Sequence, residues 1–223
     1  VFILSPSGGI LQGDRYRMDV ELRNNAISHI TTQGATRIYK MESNYATHMV
    51  TLNLKNNSYL EFIPEQIIPY KNSRFYQKTN LKIDDSSTVV YSETIVPGRI
   101  AMGEMFDFDL CYLKTEGKIN DRVQFRDSSL LSPKTQKIQS LAMFDDKTIL
   151  TSVYILTKKH VTKVNDMINE LFSHTQNISG GSSILPNDSG ISIRILGNSS
   201  EDQKTTIYEI LKIIRKEILP EYL

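Results

Sequence analysis

Hydrophobic and polar residues alternate through most of the first 156 positions of this chain. From Asp14 to Arg23, Tyr16, Met18, Val20 and Leu22 fall on one side and Arg15, Arg17, Asp19, Glu21 and Arg23 on the other. That is the period-two signature of a half-buried strand. A second apolar run follows from Ala26 to Thr32, beyond the polar pair Asn24-Asn25. The same unit recurs. Polar turns fall at Asn24-Asn25, Asn56-Asn57, Asp84-Asp85, Glu116-Gly117 and Asp145-Asp146, at spacings of 32, 28, 32 and 29 residues. Strand-like runs enter them at Met49 to Leu54, Phe75 to Ile83 and Phe106 to Leu113. Others leave them at Tyr59 to Ile63, Thr88 to Val96 and Thr148 to Leu156. Five hairpin-like units at a period near 30 predict a mainly β fold: a stacked, solenoid-like core in which each unit buries its apolar face on the next. A sandwich built of regular hairpins is the alternative.

After Leu156 the period lengthens. Val161, Val164, Met167, Ile168, Leu171 and Phe172 recur at helical spacing, and a loop rich in Gly, Ser and Asn (177 to 190) leads to a short strand, Ile191 to Leu196. A second helix carries Ile207, Ile210, Leu211, Ile214 and Ile218 on one face, with Ser200 and Gln203 placed as a capping box and Pro220 closing it. The prediction is a single domain over 1–223, with a β-rich core over 1–156 and a helix-strand-helix segment over 157–223 packed on it.

Equivalent loops of a solenoid lie along one edge, where partners bind. The least ordinary segments are 31–44, 64–73 and 97–103, so Gln33, Arg37, Tyr39, Glu65, Gln66, Arg99 and Glu104 are expected along one side. Charge adds an exclusion. Lys and Arg (26) nearly balance Asp and Glu (25) with signs interspersed, which leaves no basic field for a phosphate backbone and argues against nucleic acid as a ligand. No run of apolar residues is long enough to span a membrane. A single cysteine, Cys111, allows no internal disulfide and fits a reducing, cytoplasmic compartment. Four Asn-x-Ser sequons are what an Asn- and Ser-rich chain gives by chance. Val1 lies inside an apolar run, as expected of a chain that begins after residues since removed.

Catalytic signatures come out poorly. Gly8 and Gly13 have the gap of a phosphate-binding loop, but Asp14 stands where its lysine would be, and a carboxylate there repels phosphate. The four histidines are far apart in sequence. Trp is absent and the tyrosines are scattered, against a carbohydrate-active enzyme on a β-solenoid. Carboxylates inside strands are more suggestive. Glu93 shares its face with Val89, Tyr91 and Ile95, and the opposite face is also largely apolar, so Glu93 is expected to be buried; Glu61, between Leu60 and Phe62, poses a milder version of the problem. Desolvating a bare carboxylate costs several kcal/mol. Either an ion pair with Arg99 or Arg74 satisfies these groups, or they line a wet interior passage.

Four motifs then point to a family. Gly8-Gly9-x-x-x-Gly13-Asp14, Thr31-Thr32-Gln33-Gly34-Ala35-Thr36-Arg37-x-Tyr39, Pro64-Glu65-Gln66-Ile67-Ile68-Pro69-Tyr70 and Gly98-Arg99-x-x-x-Gly103-Glu104 resemble, in order, the signature of the UreD (UreH) urease accessory proteins. Leu130-Leu131-Ser132-Pro133 adds a weaker likeness. The family normally carries a few dozen residues before the Gly-Gly loop, where seven stand here. The resemblance implies a β-helix-like core and a non-enzymatic chaperone of urease maturation. It also implies a complex with UreF and the GTPase UreG that engages apo-urease, no tightly bound cofactor, and nickel in transit. It marks Asp14, Thr31, Thr32, Gln33, Tyr39, Arg99 and Glu104 as motif positions for partner docking, passage lining or architecture; the loop-edge reading adds Arg37, Glu65 and Gln66 as partner-binding or passage-lining candidates. Glu61, Glu93 and Glu104 are the transient nickel candidates. An adaptor with no metal role is the alternative.

Overall fold

The computed structural model describes residues 1–219; Pro220, read above as the close of the last helix, lies outside them. In chain order the strands are β1 (Phe2–Ile3), β2 (Arg15–Leu22), β3 (Ile27–Thr32), β4 (Thr36–Ile38), β5 (Ala46–Leu54), β6 (Tyr59–Phe62), β7 (Ile67–Pro69), β8 (Arg74–Ile83), β9 (Thr88–Ile95), β10 (Leu110–Ile119), β11 (Arg122–Leu131) and β12 (Ile149–Leu156). Helix α1 (Val161–His174), β13 (Ile178–Ile184), β14 (Gly190–Gly197) and α2 (Ser200–Ile218) complete the chain.

The repeating unit is a coil of a solenoid. Its two strands do not pair with each other: β2, β5, β8 and β10 stack in parallel into one sheet, while β3, β6 and β9 stack in parallel into another. The turns at Asn24-Asn25, Asn56-Asn57 and Asp84-Asp85 therefore carry the chain from one sheet to the other, and the first two rest on one another, the Asn25 amide donating to the Asn56 carbonyl at 2.9 Å. Asn25 and Asn57 adopt positive φ (61° and 57°), a conformation asparagine tolerates better than most residues. The loop edge has strands of its own, since β4 pairs with β7 and β7 touches β9.

Two expected secondary-structure assignments differ. Glu116-Gly117 is not a turn but part of β10, and the chain reverses at Asn120-Asp121, both at positive φ. Gly117 is there because the Phe125 ring of β11 occupies its side-chain space: a Cβ would lie 2.1 Å from that ring, and the β10–β11 register slips at this point. The stretch 177–190, read as a loop, contains β13. Its serines and glycines suit a strand whose side chains need little room, and the segment becomes helix-strand-strand-helix. The Asn169 amide of α1 closes the outer edge of β13, accepting from the Ser182 amide at 2.9 Å and donating to its carbonyl at 3.2 Å.

Three apolar clusters hold the molecule together. Two lie between the sheets: one around Leu52, Leu60, Leu81, Val89 and Leu156, the other around Ile38, Phe75, Phe108 and Cys111. The third seals α1 and α2 onto the outer face of the larger sheet, whose order continues β9-β12-β14-β13. Ile207, Ile210, Leu211, Ile214 and Ile218 all bury there, at about 2 kcal/mol each. The cap of α2 is Ser199, whose hydroxyl accepts from the Asp202 amide; Gln203 turns inward and is buried, so no capping box forms.

One ion pair pins α2. Glu61 on β6 is 2% exposed, and Arg215 donates to both its oxygens, at 2.7 and 2.6 Å. The partner is thus neither Arg99 nor Arg74, because Glu61 points toward α2 and away from the loop edge. Arg215→Ala strands this carboxylate and is expected to cost about 3 kcal/mol in urea unfolding, part of it recovered by adding Glu61→Gln. Gly117→Val must expel Phe125, an expected loss of about 2 kcal/mol in the same measurement.

Candidate functional site

Of the residues expected along the loop edge, Tyr39, Arg99 and Glu104 come together around Tyr70. The Tyr39 and Tyr70 rings lie 5.1 Å apart, and the Arg99 guanidinium sits 4.0 Å over Tyr70. Arg99 also grips Glu104, Nε donating to Oε2 at 2.8 Å and Nη2 to Oε1, while the Lys71 amide donates to Oε2 at 3.2 Å. The guanidinium holds the Glu104 carboxyl below its usual range. This clamp fixes the base of a short helical turn, Ile100–Met102, whose tip projects Ile100 and Met102 into solvent, Met102 at 70% exposure. Gly9 lets the first loop close on the same stack, since a Cβ would lie 2.4 Å from the Tyr39 ring.

Several motif residues serve the architecture. Asp14 Oδ2 accepts from the Leu11 amide at 2.8 Å and closes the first turn. Thr32 Oγ1 accepts from the Glu65 amide at 2.9 Å, tying two loops, and Thr31 pairs with Phe2 in the β1–β3 ladder. Glu65 pairs with Lys204 at 2.9 Å, and Gln66 Oε1 accepts from Ser200 at 2.8 Å, so both hold the start of α2. Gln33 and Arg37 remain exposed.

The interior holds the chemistry. Glu93 faces between the sheets and is 4% exposed. Its Oε2 accepts from the Tyr91 hydroxyl at 2.9 Å and faces Gln77 Nε2 at 3.5 Å. No basic side chain pairs with it among the described residues. Burial pushes its carboxyl up from an ordinary 4.5 to about 7, against the opposing pull of the Tyr91 hydroxyl and the Arg194 charge.

Glu93 belongs to a polar string crossing the coils. His48 Nδ1 lies 3.1 Å from Gln77 Oε1; Gln77 Nε2 and Thr79 both donate to the Tyr91 hydroxyl at 3.0 Å. Burial lowers the pKa of His48, favouring neutral imidazole. With Nδ1 protonated toward Gln77, its Nε2 keeps a free lone pair. Beyond Tyr91 the string continues through the Tyr154 ring, stacked 6.1 Å away, whose hydroxyl donates to Asp127 at 2.9 Å; Arg194 binds the same carboxylate. His48, Asp127 and Arg194, at the two ends, are only half-buried.

The three carboxylates thus part company. Glu61 meets Arg215, Tyr59 (2.8 Å) and His29 Nδ1 (2.6 Å); Glu104 meets Arg99; Glu93 alone has neutral neighbours. Sequence reasoning missed His48, Gln77, Asp127, Arg194 and Arg215. For Gln77 the signal was present, a polar residue on the inward face of Phe75, Thr79, Leu81 and Ile83; Arg194 and Arg215 come from elements whose packing partners no local pattern names. Among the described residues, no three His, Cys, Asp or Glu side chains form a metal cluster, and no helix is long and apolar enough to cross a membrane.

Comparison with known proteins gives one answer. The family model described as UreD urease accessory protein matches residues 1–222. A urease accessory protein UreD of Cenarchaeum symbiosum is 37% identical over 220 residues, covering 98% of this chain and 77% of the relative. The UreD 2 protein of Brucella canis is 37% identical over 229 residues, covering 99% and 76%, and the UreD of Photorhabdus laumondii 33% over 223 residues, covering 98% and 70%. Matched along nearly its whole length by that family and sharing about a third of its residues with these relatives, the chain belongs to the UreD family of urease accessory proteins.

Proposed function

We propose that this chain acts in urease maturation as a non-catalytic, cytoplasmic chaperone. It would join UreF and the GTPase UreG in a complex that engages apo-urease, and offer nickel a route through its own interior. The observation that supports the route is Glu93: a carboxylate between the sheets, unpaired with any cation among the described residues, on a polar string with half-exposed ends. A group whose pKa lies near 7 exchanges a proton for a metal ion at little cost, and imidazole nitrogen with carboxylate oxygen suits nickel. Gln77 stands between His48 and Glu93, so an ion meets these donors in succession, which suits passage better than storage. Glu61 and Glu104 are already neutralised by arginines. The Arg99–Glu104 clamp favours a second role, docking, for the loop edge, where Gln33, Arg37, Ile100 and Met102 face solvent.

In a reconstituted system, Glu93→Gln is expected to reduce nickel incorporation at least about tenfold while leaving complex formation intact on size exclusion; each 1.4 kcal/mol lost from the route corresponds to such a factor. Glu104→Gln is expected to weaken complex assembly by loosening the Arg99 clamp. Activation that survives Glu93→Gln in an intact complex would leave a docking scaffold without a metal route.

Stability should report the same carboxyl. The folded-state pKa is raised, so the folded chain binds the proton more tightly. The Glu93 contribution is full below about pH 4.5 and is lost as pH rises through about 7. Between those limits the wild type is expected to lose up to about 3 kcal/mol relative to Glu93→Gln, read from urea midpoints at a series of pH values. Parallel curves for the two proteins would show that Glu93 does not titrate there.

A further inference from the structure

Among the described residues, the outer face of the smaller sheet, β11-β10-β8-β5-β2, carries no helix, and it has a composition the linear sequence conceals. In-register stacking gathers its outward residues into rows. One row reads Arg15, Thr47, Tyr76, Tyr112, Leu130; the next reads Arg17, Met49, Lys78, Lys114, Ser128. Tyrosines that lie apart in the chain thereby meet: the Tyr76 and Tyr112 rings are 5.4 Å apart, and Tyr45 adds a third ring with Arg15 6.0 Å over it. The result is an open groove of about 690 Å³ with an aromatic and Met floor and basic walls. Among the described residues, no Asp or Glu lines it. Arg15 in its lining, and Lys78 and Lys114 in the row beside it, have no ion pair among the described residues; the carboxylates of the following row are already paired, Asp19 with Arg17 at 2.7 Å and Glu116 with Arg126 at 2.6 Å.

We propose that this face docks an acidic segment of a partner protein, one that lays an aromatic or aliphatic side chain against Tyr76 and Tyr112 and its carboxylates against Arg15, Lys78 and Lys114. The proposal extends the scaffold reading by giving this face a partner chemistry. Tyrosine and arginine are the side chains on which interfaces most depend, and cationic walls steer and orient an anionic ligand. Single-stranded nucleic acid is the rival occupant of an aromatic, basic sheet. Two features disfavour it. The Tyr76 and Tyr112 rings are tilted 59° from one another, so they do not form the pair of parallel platforms on which successive bases stack. The next row across the same face, Asp19, Thr51, Asn80, Glu116, Arg126, brings carboxylates into the path a phosphate backbone would follow.

The test uses the full chain and a fluorescein-labelled twelve-residue peptide of alternating Glu and Phe, read by anisotropy. A Lys-Phe peptide and a twelve-nucleotide single-stranded RNA serve as comparisons. The Glu-Phe peptide is expected to bind, to weaken on raising salt, and to lose at least about tenfold in affinity in the triple variant Arg15→Glu/Lys78→Glu/Lys114→Glu. Tyr112→Ser is expected to weaken it at constant charge. The control triple Lys82→Glu/Arg122→Glu/Lys159→Glu changes net charge equally outside the groove and is expected to leave binding near wild type. Absence of binding by the Glu-Phe peptide, an equal loss in the control triple, or tighter binding of the RNA would each overturn the proposal. The nickel-route reading is judged separately, since Glu93→Gln leaves this face untouched and is expected to bind the peptide like wild type.

Discussion

In-register parallel stacking is the constraint on which the rest of this molecule depends. Once β2, β5, β8 and β10 align residue for residue, whatever one coil places inward must suit what the coils beside it place inward. Leucine, isoleucine and valine meet that demand over most of the interior. Where His48, Gln77 and Glu93 face in, the demand becomes one for hydrogen bonds, and Tyr91, Thr79 and Tyr154 supply neighbouring hydroxyls. A polar layer between two apolar clusters is stable only because its members satisfy one another across coils. The same alignment writes rows on the outer face, so the docking groove and the interior string arise from one geometric rule.

The solenoid was legible because its period is. Spacings near 30 between Asn-Asn and Asp-Asp turns, with alternating runs on both sides, require coils of equal length, and burial of Glu93 follows from apolar residues on both faces of its strand. Equivalent positions of equal coils superpose, which is why β4 pairs with β7 and Tyr39 meets Tyr70 and Arg99, residues of three different motif loops. What failed has local causes. Gly117 looked like a turn residue, but its lack of a side chain serves the Phe125 ring of the neighbouring strand. The Gly- and Ser-rich stretch before β14 looked like a loop because small residues carry no alternation to read. Single-sequence patterns also give no partner for a buried charge: Arg215 is 154 residues from Glu61, and nothing near either residue names the other. The tyrosines looked scattered because a row across a sheet is invisible until the register is known.

The site divides the labour among similar carboxylates by environment. Arginine at Glu61 and Glu104 makes those two fixed and structural, while neutral hydroxyl and amide neighbours leave Glu93 able to change its protonation. Residue type alone could not have ranked them.

The Glu61–Arg215 pair also bears on how the chain comes to be folded. Contacts between coils join residues about one repeat apart, so the solenoid can assemble in sequence as the chain is synthesised, each new coil templated on the last. The outer face of the larger sheet cannot be finished that way. Until α2 emerges, Glu61 has no arginine and the apolar cluster on that face lacks Ile207, Ile210, Leu211, Ile214 and Ile218. A ribosome-bound chain thus carries a nearly complete coil stack with one sticky flank until α2, made well after the coils, covers it and renders it safe from aggregation.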